Sequence, residues 1–362
     1  MLNRDTSFLC LYADCVPVRG HKRSTVCDLQ TNKFYFIPNI LFEMLTEHSN
    51  KTIQEVVAFY GEENRSSIEE YTSFLLDNNL AFLTLEPEKF SRLDLKWDTP
   101  SQVTNAIVDI DAGSAHPYTR IISELDDMNC KCLEIRTFTK GNYQKILQLL
   151  ACTQESRLRA ISILLPFSEE EFTEKDLEVL CEENKRIRQV LVHGSPQEYM
   201  DTSITIKATI VYSSEKIDSS AHCGIIHPSH FKSNIYLFSE SHHHNSCLNR
   251  KISIDVNGDI KNCPSMSASF GNIAVNTLGS VVEQDAFRVN WNITKDQVDV
   301  CRSCEFRYIC TDCRAFTENG NPYGKPAKCS YDPFTATWAD EEDNPKGQQF
   351  RKIGKDKIKY FV

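Results

Sequence analysis

The sequence lacks a long apolar segment and an excess of positive charge, and these absences exclude two classes of partner. No apolar run reaches the roughly 18 residues that a membrane-spanning helix needs. The 50 acidic residues outnumber the 40 basic ones, giving a net charge of −10, whereas binding to a nucleic-acid backbone requires a basic surface. Residues 1–7 also lack a signal peptide's apolar core. We therefore expect a cytoplasmic protein that binds neither membrane nor nucleic acid.

Two families of catalytic motif are also missing. The chain contains neither a GxGxxG fingerprint nor a GxxxxGK[ST] loop, so nothing in the sequence supports nucleotide binding. No arrangement of nucleophile, histidine and acid is recognisable either. The overall composition, 41% hydrophobic and 25% charged, is that of a soluble globular protein. At 362 residues the chain is long enough for two or three domains, each with its own core.

Cysteine, by contrast, is abundant, and its spacing indicates metal binding. The chain has 15 cysteines, which in a protein without an export signal indicates a reducing compartment and metal ligation. Two CxxC pairs stand close together in the last third, and soft thiolates select zinc, copper(I) or iron–sulfur clusters. Seven cysteines in this block are too many for one zinc ion and one short of two all-cysteine clusters. They are Cys247, Cys263, Cys301, Cys304, Cys310, Cys313 and Cys329.

This cysteine pattern resembles the SPASM domain, the auxiliary-cluster region of many radical-SAM peptide-modifying enzymes. Gly258 followed by Cys263 matches its Gly-x4-Cys element, and the block from Cys301 matches its CxxC-x5-C element. One spacing departs from the family: two residues separate Cys310 from Cys313, where the family has three. The resemblance implies two [4Fe–4S] clusters, one on Cys301, Cys304, Cys310 and Cys329 and the other on Cys247, Cys263 and Cys313. Zinc in the same sites is the alternative.

The fourth ligand of the second cluster is left open by the sequence. The family often has a cysteine just before the first motif cysteine, but here that place is the segment 241–246, which contains three consecutive histidines. The fourth position could be one of these histidines, Cys223 from upstream, or an open site.

Residues 1–90 are predicted to form a small winged-helix domain. Short apolar strands at 8–12, 25–29, 33–37 and 80–85 accompany three helices, two of which have predicted capping boxes starting at Thr52 and Ser66. The third helix is acidic, which argues against DNA. The order resembles the PqqD-like element that binds a precursor peptide's leader as an added strand. It implies a groove lined by Phe34, Phe36, Tyr71 and Leu75; the alternative is that these residues form the domain's own core.

Residues 100–240 alternate between apolar strands and amphipathic helices. This alternation predicts an α/β fold with a parallel sheet and helical crossovers, as an open or partial (β/α) barrel. His193 ends a strand at the carboxyl edge of that sheet, and we interpret it as a hydrogen-bonded structural residue. The predicted strands are 106–111, 132–138, 159–165, 188–193, 204–211 and 235–238, and the predicted helices are 118–128, 142–151 and 174–183.

The loop after the first of these strands argues against radical chemistry. In radical-SAM proteins this loop carries CxxxCxxC, whereas residues 111–119 contain no cysteine. The nearest cysteines, Cys130 and Cys132, are a helix further on and cannot supply three ligands. We therefore expect a degenerate radical-SAM-like barrel that does not cleave S-adenosylmethionine in the usual way, unless His116 or Asp111 compensates.

The order of the parts resembles the SPASM-domain peptide maturase of "grasp-with-spasm" ribosomal peptide (RiPP) systems. The segments 304–316 and 329–334 carry the strongest likeness. The resemblance implies an accessory maturation protein that binds a precursor's leader and presents the peptide to a partner ATP-grasp ligase. Its domains would be residues 1–90 for leader recognition, 100–240 for the barrel and 241–362 for the SPASM domain. The alternative is a redox or radical enzyme that itself modifies the precursor.

Overall fold

The structure, a computed structural model, describes residues 3–202 and 208–339. Its N-terminal part contains two small antiparallel sheets and three helices. One sheet pairs the first strand with the fifth, and the other contains the second, third and fourth strands in that order. The elements are β1 (Phe8–Leu11), β2 (Cys15–Val18), β3 (Ser24–Asp28), β4 (Lys33–Ile37), α1 (Asn39–Thr46), α2 (Ile53–Tyr60), α3 (Arg65–Asp77) and β5 (Ala81–Thr84).

Local side-chain hydrogen bonds explain two of these boundaries. The carboxylate of Asp28 accepts hydrogen bonds from the backbone amides of the β3–β4 turn, and Asn32 adopts a positive φ of 58° there. The capping box of Thr52 and Glu55 forms as predicted at the start of α2. The capping box predicted at Ser66 is wrong, because α3 already begins at Arg65 and has no side-chain cap.

The middle of the chain forms an eight-stranded sheet with helical crossovers. The spatial order is β10-β11-β9-β8-β7-β6-β12-β13, in which the six inner strands are parallel and the two outer ones antiparallel. The predicted parallel sheet is therefore confirmed. Its elements are β6 (Asn105–Asp109), α4 (Tyr118–Asp127), β7 (Cys132–Arg136), α5 (Tyr143–Cys152), β8 (Ala160–Pro166), α6 (Glu174–Glu183), β9 (Ile187–His193), β10 (Tyr199–Asp201), β11 (Thr209–Ser213), β12 (Lys251–Ile254) and β13 (Ile260–Lys261).

The two faces of this sheet differ in polarity because successive side chains of a strand point to opposite sides. One face packs Ala106, Val108, Leu133 and Ile135 into the main hydrophobic core with the helices. The opposite face, which we call the polar face, carries a small apolar cluster and many charged or polar side chains. The polar members include Asp109, Glu134, Arg136, Gln189, Lys251 and Ser253.

The C-terminal part has little regular structure. It contains α7 (Ile235–His243), α8 (Leu278–Val282), α9 (Asp285–Arg288) and the short pair β14 (Tyr331–Asp332) and β15 (Thr337–Trp338). The strand predicted at 235–238 is wrong, because these residues form the start of α7, where the Asn234 side chain accepts a hydrogen bond from the Leu237 amide. The strand predicted at 204–211 is observed as β11; residues 203–207 lie outside the described residues.

The central sheet continues beyond residue 240. β12 pairs with β6 and β13 pairs with β12, so residues on both sides of the predicted boundary share one sheet. The domain limits themselves stay a prediction. Within the residues that the structure describes, no helix combines the length and apolar character needed to cross a bilayer.

The sheet of β2, β3 and β4, which we call the N-terminal sheet, packs directly on the cysteine-rich part. The ring of Phe34 in β4 lies 5.6 Å from that of Phe306, measured between centroids. Arg23 forms a 2.8 Å ion pair with Glu305, whose side chain is fully buried. Thr25 also donates a 3.1 Å hydrogen bond to the Glu305 carbonyl. The N-terminal sheet and the cysteine-rich part therefore share one hydrophobic cluster.

Candidate functional site: two thiol groups and a groove

Four cysteines of the C-terminal part gather as a set that we call the first thiol group: Cys301, Cys304, Cys310 and Cys329. A 3₁₀ turn starts at Cys301, whose carbonyl accepts a 2.9 Å hydrogen bond from the Cys304 amide. Cys310 interacts electrostatically with Cys301 and Cys329, and Cys304 interacts with Cys301 and Cys310. Burial raises the pKa of the Cys310 thiol to about 12. The four cysteines assigned to one cluster from their spacing are therefore neighbours in the fold.

A buried lysine accompanies the first thiol group. The Nζ of Lys295 donates a 3.2 Å hydrogen bond to the sulfur of Cys310 and lies 3.8 Å from a carboxylate oxygen of Asp312. Burial disfavours the Lys295 charge, but the surrounding thiolates and Asp312 outweigh it and raise the lysine pKa. A buried ammonium is costly unless negative charge compensates it. The buried Lys295 ammonium therefore favours the thiolate form of the neighbouring cysteines.

Four further cysteines form the second thiol group: Cys223, Cys247, Cys263 and Cys313. Cys263 and Cys313 each interact electrostatically with both Cys223 and Cys247. Burial is the main cause that raises the pKa of Cys263 to about 12 and that of Cys313 to about 11. The sequence predicted three of these residues together, and named Cys223 only as one of three options for the fourth place.

The second thiol group also has a lysine beside it and lies at the polar face of the central sheet. Lys251, the first residue of β12, donates from Nζ to the Cys247 sulfur at 3.6 Å. Burial opposes its charge, but Cys247, Cys263 and Cys223 raise its pKa. Cys223 further interacts with Arg136 at the end of β7. Each thiol group thus combines four sulfurs with one lysine.

Gly258 explains how the chain places Cys263. The glycine lies in the turn between β12 and β13 with φ of +84°, a conformation that other residues adopt only with strain. A Cβ there would approach Ile273 to 3.1 Å. The Asp255 carboxylate accepts hydrogen bonds from Asn257 and Asp259 and closes the same turn. β13 then leads directly to Cys263.

The three consecutive histidines are held by other groups. His242 stacks on Tyr308 with 3.6 Å between ring centroids, and its Nδ1 lies 2.8 Å from the Phe238 carbonyl. Nε2 of His243 lies 3.1 Å from the Leu95 carbonyl, and Nδ1 of His244 lies 3.2 Å from the side-chain oxygen of Asn292. At least one ring nitrogen of each histidine is thus engaged by a protein oxygen.

The donor chemistry of the two groups fits a soft metal or an iron–sulfur cluster. Thiolates are the ligands that such centres prefer, and a neighbouring cation offsets the negative charge that four thiolates bring. Within residues 3–202 and 208–339, however, no three or more His, Cys, Asp or Glu side chains are arranged as a metal-ion site. The metal and cluster assignments therefore remain predictions, supported by the grouping of the thiols.

The cysteine-free loop after β6 is held by Asp111, His116 and Lys145. A carboxylate oxygen of Asp111 accepts from the Gly113 amide at 2.9 Å, and the buried His116 places Nε2 3.0 Å from the Asp109 carbonyl. Lys145 donates to three carbonyls of the loop at 2.8 to 2.9 Å. Asp111 and His116 thus have structural partners; compensation by either for the missing cysteines stays a prediction.

Charged and aromatic groups at the carboxyl edge of the sheet are paired. Arg136 donates to both carboxylate oxygens of Asp109 at 2.7 and 2.9 Å, and both side chains are buried. His193 is buried as well, and its Nδ1 accepts a 3.2 Å hydrogen bond from the Ile217 amide. Desolvation lowers the His193 pKa to about 4, so the ring is neutral at pH 7. The predicted hydrogen bonding of His193 is therefore observed at Nδ1.

The residues predicted to bind a peptide lie in β4 and α3 and belong to or contact two different hydrophobic clusters. Phe34 and Phe36 point toward the cysteine-rich part, where Phe36 also receives the Arg23 guanidinium 3.5 Å above its ring. Leu75 is fully buried in the N-terminal core, and Tyr71 is half-buried at its margin. Whether any of the four binds a peptide stays a prediction, but they do not form one surface.

Aromatic side chains of different composition join β4 to α3, and we call this margin the candidate groove. Tyr35 of β4 and Phe74 of α3 are half-buried neighbours with 6.3 Å between ring centroids, and Tyr71 packs against the same core. Among the described residues β4 has a hydrogen-bonded strand on one side only. Sequence reasoning missed Tyr35 and Phe74, although the alternation of side chains along a strand separates Tyr35 from Phe34 and Phe36.

Comparison with known proteins adds one structural likeness. The chain matches none of the protein-family models and none of the curated proteins with which it was compared. The crystal structure of Streptococcus suis SuiB bound to S-adenosylmethionine aligns with 88% of this chain and 98% of that chain, at 11% sequence identity and a TM-score of 0.38. A TM-score of this size is too low to establish a common fold.

Proposed function

We propose that this chain is an accessory maturation protein for a ribosomally synthesised peptide. It binds the leader of the precursor beside β4 and presents the peptide to a partner ATP-grasp ligase, while the cysteine-rich part holds two [4Fe–4S] clusters. The observation that carries the proposal is the edge of β4 that has no partner strand among residues 3–202 and 208–339, next to the aromatic margin of α3. An edge strand offers a row of main-chain donors and acceptors to a further strand.

Strand addition divides affinity and specificity between backbone and side chains. The main chain of an added peptide would hydrogen-bond to β4, and its alternate side chains would meet the groove lined by Tyr35, Tyr71 and Phe74. Phe34 and Phe36, on the other face, hold β4 against the cysteine-rich part. The packing of the sheet therefore keeps the strand in place before a peptide arrives, which lowers the ordering cost of binding.

The thiol groups support the cluster part of the proposal. Cys301, Cys304, Cys310 and Cys329 would hold one cluster, and Cys247, Cys263 and Cys313 would provide three ligands of the other. Bound clusters supply cross-links between distant segments and a capacity for one-electron transfer. Lys295 and Lys251 each donate to a sulfur and offset its negative charge. No step of the proposal requires cleavage of S-adenosylmethionine.

Leader binding is tested by titrating the full-length chain with the labelled leader of the short peptide encoded beside its gene. Fluorescence anisotropy should show binding, and Tyr71→Ala should weaken it by about tenfold, which corresponds to about 1.4 kcal/mol. The matched control is Phe59→Ala, which removes an aromatic ring that is 60% exposed on α2, outside the groove. Equal affinity of Tyr71→Ala and wild type would contradict the proposed groove, and absence of binding by wild type would contradict leader recognition.

Cluster content is tested on protein purified without oxygen. Iron and sulfide analysis should give about eight atoms of each per chain, the content of two [4Fe–4S] clusters. Zinc without iron would favour the alternative of a zinc protein. Incubation with S-adenosylmethionine and a strong reductant should form no 5′-deoxyadenosine, and its formation would favour the alternative of a radical enzyme.

A further inference from the structure

Cys223 is the member of the second thiol group that the cysteine motif does not account for. It lies 24 positions before Cys247, in the segment between β11 and α7, and part of it is exposed to solvent. The motif itself supplies Cys247, Cys263 and Cys313, which leaves one position of a four-ligand cluster unassigned.

Three hydrogen bonds connect the segment of Cys223 to the segments that carry other cysteines. The hydroxyl of Ser265, two residues after Cys263, donates to the Ser220 carbonyl at 2.8 Å. The Nζ of Lys328, next to Cys329, donates to the Cys223 carbonyl at 2.6 Å and to the Ala221 carbonyl. Cys223 is thus held between the two halves of the cysteine-rich part.

The contact of Gly224 with Cys313 brings the segment onto the second thiol group. Gly224 has φ of +88°, and a Cβ built on it would lie 2.6 Å from the Cys313 sulfur and 3.4 Å from its Cβ. A side chain at this position would therefore displace Cys313. The glycine allows the backbone beside Cys223 to approach a motif cysteine directly.

The charges around Cys223 agree with this placement. Its thiol interacts with those of Cys247, Cys263 and Cys313, and the Lys251 ammonium interacts with Cys223 as well as with Cys247 and Cys263. The histidines at the position where the family often has its extra cysteine each direct a ring nitrogen to Phe238, Leu95 or Asn292.

We propose that Cys223 is the fourth thiolate ligand of the cluster held by Cys247, Cys263 and Cys313, an inference that rests on the proposed iron–sulfur function. With this ligand both clusters are coordinated by four cysteines. Neither then leaves an iron open to substrate, and both are suited to structural support or electron transfer.

The test is differential alkylation of the full-length chain, prepared without oxygen and either loaded with iron and sulfide or stripped of them. Iodoacetamide is applied in pulses, and mass spectrometry follows each cysteine. Alkylation of Cys223 should be about tenfold slower or more in the loaded protein, because a thiolate bound to iron is no longer a free nucleophile. Cys152, half-buried on α5 outside both thiol groups, is the internal reference and should react equally in both states.

A second measurement uses iron release to a chelator. In Cys223→Ala about half of the iron, the share of one cluster, should be released at least about tenfold faster than from wild type, because one ligand is missing. Cys152→Ala should release iron as wild type does. If Cys223→Ala does not fold, the alkylation experiment on the wild-type chain still decides the assignment.

The possible outcomes distinguish a failure of the Cys223 assignment from a failure of the proposed clusters. Iron-loaded wild type in which Cys223 reacts as fast as in the stripped protein would overturn the ligand assignment and leave the clusters in place. Wild type that takes up no iron would overturn the clusters of the proposed function, and the assignment with them. Protection of Cys223, with Cys152 unprotected, supports both.

Discussion

At the scale of single residues, each of the two thiol groups has a lysine that donates a hydrogen bond to one of its sulfurs. Lys295 is only 4% exposed, yet the thiolates and Asp312 raise its pKa in spite of that burial. The pKa of Lys251 is likewise raised by Cys247, Cys263 and Cys223, although burial opposes its charge. An N–H donor on a cluster sulfur stabilises the reduced, more negative form, so each lysine should raise the potential of its own cluster.

Lys295→Met should therefore lower the reduction potential of one cluster. Loss of a hydrogen bond worth about 1.4 kcal/mol more in the reduced state corresponds to about 59 mV for a one-electron couple. A redox titration followed by electron paramagnetic resonance measures this shift. Lys251→Met is the matched variant, since it should move the potential of the other cluster only. Unchanged potentials in both variants would show that the lysines do not act on the clusters.

The buried carboxyl of Glu240 in α7 should make the free energy of unfolding depend on pH. Desolvation raises the pKa of this carboxyl from 4.5 to about 7, against the opposing effect of the Asn249 hydrogen bond. The folded state thus binds more protons than the unfolded state between these values, and the free energy of unfolding should fall as the pH rises from about 4.5 to about 7.

The size of this effect is about 3 kcal/mol at most, from about 1.4 kcal/mol per pKa unit. Glu240→Gln should remove this part of the pH dependence, because the amide does not titrate. Urea unfolding of both proteins at a series of pH values measures the difference. Parallel stability curves for wild type and variant would contradict the assignment to Glu240.

At the scale of elements, the junction between β3, β4 and the turn after Cys304 connects the candidate groove to the first thiol group. Glu305 is buried beneath Arg23, and its backbone carbonyl accepts a hydrogen bond from Thr25. Phe306, the next residue, packs against Phe34 and Phe36. The edge strand proposed to bind a peptide therefore rests on residues that directly follow a candidate cluster ligand.

Glu305→Ala should destabilise this junction by about 3 kcal/mol, because it removes a buried carboxylate and leaves the half-exposed Arg23 without its partner. Urea unfolding of the full-length chain measures the loss. Glu43→Ala is the control, since its ion pair with Arg19 is exposed and should contribute no more than about 1 kcal/mol. Equal losses in the two variants would mean that the buried Glu305 stabilises the fold no more than the exposed Glu43–Arg19 ion pair does.

At the scale of the whole molecule, the first and last parts of the chain stabilise each other. The shared cluster joins Val18, Cys27 and Leu29 from the N-terminal sheet with Phe306 and Tyr331 from the cysteine-rich part. Removal of the N-terminal sheet would expose these apolar side chains to water. The proposed peptide binding and cluster retention would thus depend on one packed unit.

Deletion of residues 1–90 should abolish leader binding and also weaken the C-terminal part by about 3–5 kcal/mol, the usual cost of emptying a core position occupied by a phenylalanine. The measurements are the urea midpoint and the rate of iron release for residues 91–362 against the full-length chain. The point variant Tyr71→Ala, which leaves the shared cluster intact, should weaken leader binding by about tenfold without changing iron release. Identical stability of the truncated and full-length chains would show that the interface is not stabilising.

Much of the fold was readable from the sequence because local patterns determine local structure. The strands and helices from β6 to β9 were predicted within a few residues, since apolar strands alternate with amphipathic helices of ordinary length. The start of α7 was mistaken for a strand, because four residues are too few to distinguish the two periodicities. The resemblance to the SPASM motif also implied that Cys301, Cys304, Cys310 and Cys329 belong to one group.

The sequence by itself thus determined the parallel sheet, the capping box at Thr52 and the cysteines that lie near one another along the chain. Only the tertiary structure decided that Cys223 joins Cys247, that Tyr35 rather than Phe34 faces α3, and that the N-terminal sheet packs on Phe306. The reason is physical. Turns and short periodic segments depend on neighbouring residues, whereas contacts between distant segments depend on how whole faces pack, and spacing along the chain does not encode that.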